Sequence, residues 1–172
     1  MKKREGSSNI SPGNTIILGV GNELLSDEGV GVHLVREIKE REIPAGVTAV
    51  EGGTDGFGLL NIITEADRLI LIDSLKGGGK PGSIYKFDIK DAPKCPDIFK
   101  TSVHQVGILE VINLSGLVGK TPKTTVIGIE PKKIDIGLEL SPEVKKKIPR
   151  VIELIFEVLK KTPTPAPRNT KK

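Results

Sequence analysis

From Thr15 to Ile129, short runs rich in β-branched residues alternate with stretches of helical periodicity, and this alternation restricts the possible folds more than any other feature. Thr15–Val20 (TIILGV) has the pattern of a buried strand. From about Glu28 to Glu40, Val30, Leu34, Val35 and Ile38 recur at helical spacing. Val47–Glu51 predicts a second strand, Gly58–Ala66 a short second helix, and Arg68–Asp73 (RLILID) a third buried strand. Ser83–Asp88 alternates as a fourth strand, Val103 to about Leu114 predicts a helix, and Thr124–Ile129 a fifth strand. Ser141, Pro142 and Glu143 open the last helix, with Ser141 at the N-cap and Pro142 in the first turn. That helix runs to about Lys161 and carries Val144, Ile148, Val151, Ile152, Ile155, Val158 and Leu159 on its buried stripe.

Strand–helix–strand alternation implies parallel pairing in a sheet covered on both faces. One link departs from it. Residues 74–82 (SLKGGGKPG) are too short for a helical crossover, so the fourth strand is expected to run antiparallel. The expectation is an α/β three-layer sandwich over residues 15–161, with a mixed five-stranded sheet and helices on both faces.

The ends differ in composition from this middle. Residues 1–14 are expected to form a flexible basic arm, and residues 162–172 (TPTPAPRNTKK) a disordered tail whose prolines bar a helix. Of the net charge of +4, residues 1–14 hold +2 and residues 162–172 hold +3, which leaves −1 for the folded part. A near-neutral core with one Tyr and no Trp argues against a nucleic-acid partner. The single cysteine, Cys95, excludes an internal disulfide and a multi-cysteine zinc site, and between two prolines it reads as a loop thiol. No apolar run has the ~18 residues of a membrane span, and no apolar segment follows the basic N-terminus as in a signal peptide. No membrane association and a cytoplasmic location are therefore expected. Abundant charge and a single glutamine fit a heat-adapted source.

Ligands of open α/β sheets bind beyond the carboxyl ends of the strands. Residues 21–28 follow the first strand there, residues 51–55 (EGGTD) follow the second, and Asp73 ends the third. A dinucleotide loop would need a third glycine where Leu24 stands, and Asp27 and Glu28 would repel a pyrophosphate. No Gly-Lys-Ser/Thr follows for a Walker loop. Each polar residue has a structural explanation by itself. Asp27 and Glu28 suit a helix N-terminus, with Asp27 as a possible N-cap, and Asp73 suits a strand-end turn. His33 lies on a helix flank, and His104 near a helix start that Ser102 could cap. Those separate explanations do not account for a Glu, an Asp and a His on one rim. Glu28, Asp73 and His104 make a borderline-metal ligand set with open coordination positions.

The segments GVGNELLSDEGVGV, EGGT, LIDS, HQVG, VIGIEP and LSPEV, in that order, resemble the hydrogenase maturation proteases, the endopeptidases that trim the large subunit of nickel–iron hydrogenases. The resemblance spans about residues 15–160. It implies catalytic and metal-contacting roles for Glu28, Asp73 and His104, and substrate recognition at Glu51, Gly52, Gly53 and Thr54. The family usually has Asp where Glu51 stands, so the carboxylate is kept one methylene longer; Asp55 has no clear counterpart. The resemblance also implies no permanent cofactor. The nickel comes with the substrate, the precursor of the hydrogenase large subunit. Two other readings stay open on the residues alone. GVGN also resembles the start of peptidyl-tRNA hydrolases, and an acidic rim could belong to a non-catalytic module that grips a metal protein.

Overall fold

The computed structural model describes residues 13–94 and 103–161, with the backbone alone at 93, 94 and 103–106. Cys95, Ser102, the C-terminal tail and most of the N-terminal arm lie outside the described residues. Five strands form one sheet: β1 (Thr15–Val20), β2 (Val47–Gly53), β3 (Arg68–Ser74), β4 (Ile84–Asp88) and β5 (Lys123–Ile129). Their order across the sheet is β2-β1-β3-β5-β4. β1, β2, β3 and β5 are mutually parallel, and β4 pairs antiparallel with β5. The short link after β3 has the consequence expected of it: the chain can only turn back.

Five helices accompany the sheet: α1 (Val30–Lys39), α2 (Leu60–Glu65), α3 (Val103–Val118), α4 (Pro142–Lys145) and α5 (Ile148–Lys160). Alternation along the buried strands sorts the core into two halves. Ile17, Ile70, Ile72 and Ile127 pack against α1, α4 and α5. Ile16, Leu18, Leu69, Leu71 and Val126 face α2 and α3. This is the three-layer arrangement, with both faces of β1 and β3 dry.

Three boundaries differ from the sequence pattern. Residues Ser26–Gly29 form a 3-10 turn, so α1 begins at Val30 and not near Glu28. Ser26, at φ 52, enters that turn through a left-handed bend, so the segment does not continue as a regular helix from its start. The last helix is two pieces, because Pro149 lacks an N–H and restricts the residue before it, so the chain re-starts at Ile148. Asn14 is tied into the domain: its N–H donates to Asp67 Oδ2 (2.7 Å) and its Nδ2 to the Glu65 carbonyl (3.1 Å).

α1 lies directly on the sheet. A Cβ on Gly31 would stand 2.4 Å from the Val20 carbonyl oxygen and 2.5 Å from that of Ile72. Neither backbone atom can move without breaking the sheet. Gly31→Ala should therefore destabilise the fold by at least ~2 kcal/mol, read as a lower urea midpoint at unchanged m-value.

Candidate functional site

The order of the strands determines where a site can form. β1 leads into α1 on one face, and β2 leads into α2 on the other. β1 and β3 thus flank the point where the winding reverses, and ligands bind outside the carboxyl ends of such a pair. Gly19 pairs in register with Ile72 on one side and Glu51 on the other. The next residues along, Val20, Asp73 and the Gly52–Gly53 end of β2, therefore meet at one edge.

Gly21 makes the bend at that edge. Its φ is 126°, open to glycine but strained for other residues. Its N–H donates to the Gly53 carbonyl at 2.9 Å. A Cβ there would lie 1.9 Å from the Glu28 carbonyl oxygen and 3.7 Å from Asp73 Oδ1. Gly21 thus packs against both the backbone of Glu28 and the carboxylate of Asp73. Both acids are almost dry, with exposures of 8% and 2%. Asp73 Oδ1 also accepts the N–H of Ser74 at 2.7 Å; both residues still lie within β3, so this is not the strand-end turn expected of it.

His104 lies in the first turn of α3. The turn after β2 meets that end of the helix: a Cβ on Gly56 would be 3.6 Å from the Gly107 carbonyl carbon. The first turns of α3 therefore lie beside the turn that follows β2. The His104 side chain is outside the described residues. Among the described residues, no three His, Cys, Asp or Glu side chains converge as a metal-holding group.

Asp27 is not a helix cap. Its carboxylate is fully buried and reaches across to the loop between β5 and α4. Oδ2 accepts the N–H groups of Lys132 and Lys133, both at 2.9 Å. Oδ1 accepts the Ser141 N–H at 2.7 Å, and the Ser141 hydroxyl donates to Oδ2 at 2.8 Å. Ser141 keeps the N-cap position of α4, but its hydroxyl is spent on Asp27 and caps nothing. The neighbouring residues extend the junction. The Ser26 N–H donates to the Gly137 carbonyl (2.7 Å), and the Gly137 N–H to that of Leu24 (2.9 Å).

The recognition candidates line an open cleft of about 470 Å³ at the ends of β1 and β2. Gly21, Glu51, Gly52, Gly53 and Thr54 all contribute to its wall, with Leu24 and Arg36 opposite. Glu51 does not stand alone there. Oε2 bonds Arg36 Nε and Oε1 bonds Lys39 Nζ, each at 2.9 Å, and Arg36 reaches on to Glu23 at 2.7 Å. The Lys39 ammonium and then the Arg36 guanidinium hold the Glu51 carboxyl below the ordinary glutamate range. His33 is partly exposed on α1, with Nε2 buried.

A second brace escaped the sequence reading. Glu130, just past β5, is 7% exposed. Its Oε2 accepts the Tyr85 hydroxyl at 2.6 Å and the Gly77 N–H at 2.7 Å, and Tyr85 Oη accepts the Gly79 N–H at 3.1 Å. A Cβ on Gly77 would fall 2.5 Å from the Tyr85 ring, so the glycine run after Asp73 allows the loop to lie flat on that ring. The glycines were the available signal; the partner Glu130 gave none. Burial, then the bond to Glu130, raises the Tyr85 pKa.

The chain is similar in sequence and fold to known proteins. Residues 32–158 match the hydrogenase maturation protease family. A hydrogenase expression/formation protein HupD from Bradyrhizobium diazoefficiens is 40% identical over 147 residues, which cover 84% of this chain and 77% of that protein. The hydrogenase 2 maturation protease of Escherichia coli is 32% identical over 152 residues, covering 86% and 91%. Among solved structures, the hydrogenase maturating endopeptidase HybD of Escherichia coli superposes with a TM-score of 0.78 at 32% identity, covering 85% of this chain and 91% of that one. The maturation protease HybD of Thermococcus kodakarensis gives 0.69 at 29% identity, covering 84% and 98%.

Asp27→Ala would leave three partly buried N–H groups and one hydroxyl without their acceptor. It should cost ~3–5 kcal/mol, with faster amide exchange at Lys132, Lys133 and Ser141. Asp27→Asn keeps one acceptor oxygen and should lose less. A wild-type urea midpoint for Asp27→Ala would show that the junction does not depend on this carboxylate.

Proposed function

This chain belongs to the hydrogenase maturation protease family, and on that premise we propose that it removes the C-terminal extension of the nickel-loaded precursor of a nickel–iron hydrogenase large subunit. The chain is accordingly a peptidase, which sets aside the peptidyl-tRNA hydrolase and non-catalytic readings. No helix among the described residues is long and apolar enough to cross a membrane. The observation that carries the finer reading is that the Glu28 backbone and the Asp73 carboxylate both lie against Gly21, at the reversal point between β1 and β3.

In this reading Glu28, Asp73 and His104 contact nickel that the substrate already holds, and the cleft at Glu51–Thr54 takes the adjoining chain. Carboxylates at a nearly dry edge attract a cation more strongly than they would in water. The nickel supplies Lewis acidity beside the scissile bond, toward its carbonyl or a water. The residues of this chain fix the metal against the peptide, so that the bond to be cut and the Lewis acid share one geometry. Two carboxylates and one imidazole lack the further ligands that close a structural zinc site. Free metal should bind them weakly and reversibly, and no permanent cofactor is needed. In this reading the enzyme acts in the cytoplasm, where it meets its precursor.

The test is a matched pair of cleavage assays, on apo and nickel-loaded precursor with chelator present. Cleavage of the loaded form alone is expected. Glu28→Ala, Asp73→Ala and His104→Ala should each abolish cleavage of that form, and circular dichroism should report a folded chain. Equal cleavage of apo and loaded precursor would sink the substrate-metal mechanism.

A further inference from the structure

Three large apolar side chains are exposed at the rim of the candidate site. Leu24 is 60% exposed, Ile136 91% and Leu138 61%. Scattered exposed leucines need no explanation, but these three are neighbours on one rigid feature. Leu25 bridges Gly137 in parallel register, so Leu24 stands beside Ile136 and two residues from Leu138's level. The same segment is fastened by the bonds of Ser26 and Leu24 to Gly137, by Ser26 Oγ to the Asp135 carbonyl (2.9 Å), and by the buried Asp27.

The position of this ridge is as specific as its rigidity. Leu24 forms part of the wall of the cleft that contains Gly21 and Glu51–Thr54. Leu138 forms part of the wall of a second cleft, of about 390 Å³, with Lys132, Lys133 and Ser141. The ridge thus joins two grooves, one of them at the candidate catalytic edge. A loop that displays apolar side chains loses nothing by being mobile. Here the backbone accepts a left-handed serine and a buried carboxylate to hold them in place.

We propose that Leu24, Ile136 and Leu138 are the apolar docking ridge for the polypeptide of the precursor substrate, gripping apolar residues of the segment that leads to or from the scissile bond. This rests on the protease reading above. Continuity with the cleft selects this occupant: a chain lying beside Gly21 and passing Leu24 must run onto the ridge. An apolar centre with Lys132, Lys133, Asp135 and Glu139 at its margin has the layout of a protein interface, a dry core inside a charged rim.

The ridge should contribute uniform binding and nothing to the chemical step, so its loss should raise KM at constant kcat. The experiment measures cleavage of a nickel-loaded large-subunit precursor by the wild type and by the triple variant Leu24→Ser, Ile136→Ser, Leu138→Ser. The expected result is a KM raised about tenfold or more with kcat within about twofold. The melting temperature should hold, since the removed groups are exposed. A second triple variant, Leu24→Met, Ile136→Val, Leu138→Met, keeps the ridge apolar and should restore KM. Ile136→Ser alone keeps the test valid if the first triple variant misfolds. A wild-type KM in the serine variants overturns the ridge while leaving the protease reading intact. A wild-type chain that cleaves no loaded precursor overturns both. Light scattering covers the other occupant: a dimer that the serine variant converts to monomer, with KM unchanged, would make the ridge a self-association surface and overturn the proposal.

Discussion

A carboxylate with no access to water organises this molecule. Asp27 can be buried only because every lobe of its charge meets a donor, and all four donors belong to residues 132–141. Without them an ionised group in that place would cost several kcal/mol. The demand runs both ways: the N–H groups of Lys132, Lys133 and Ser141 need an acceptor as much as Asp27 needs donors. The turn after β1 and the loop before α4 are therefore one unit. Glu28 is carried on that unit, one residue from the junction. Its position relative to Asp73 is as firm as the junction itself.

Much of the plan was legible in the sequence, because it follows from local periodicity and chain length. Alternating apolar runs specified a buried parallel sheet, and the short glycine-rich link forced β4 to turn back. The edge that gathers Glu28, Asp73 and Gly52–Gly53 follows from topology as soon as the strands are placed. Glycines 21 and 31 were visible as a motif, but their reasons were not. One permits a bend at positive φ, the other lets α1 touch two strands, and both depend on atoms from other elements.

What the sequence hid is long-range and polar. An acid at the start of a helical stretch looks like a cap or a partner of the helix dipole, and Asp27 is neither. Its donors lie 105 to 114 residues away, beyond any window of periodicity. Glu51 looked like a free recognition carboxylate because it ends a strand; α1 places Arg36 and Lys39 against it. Glu130 and Tyr85 are 45 residues apart, and no local pattern links them until the fold brings the Tyr85 hydroxyl and the Gly77 N–H onto one carboxylate oxygen. In each case the side chain's partner is set by strand order, which local patterns do not encode.

The polar groups around the edge divide by cost. Two buried carboxylates, Asp27 and Glu130, brace the backbone on opposite flanks, one beside Glu28 and the other on the loop that follows Asp73. Such groups tolerate little substitution, since removing one partner strands the other in a dry place. The wall of the cleft is held differently. Glu23, Arg36, Glu51 and Lys39 are linked by pairs that are 30–50% exposed. Ion pairs of that exposure are worth about 0–1 kcal/mol and weaken with salt. They can be exchanged without cost to the fold. On the proposed function, one geometry has to be kept at the edge that would face the metal while a particular precursor is matched beside it, and this division serves both. The rigid and expensive contacts lie under Glu28 and Asp73, and the cheap and replaceable ones line the cleft.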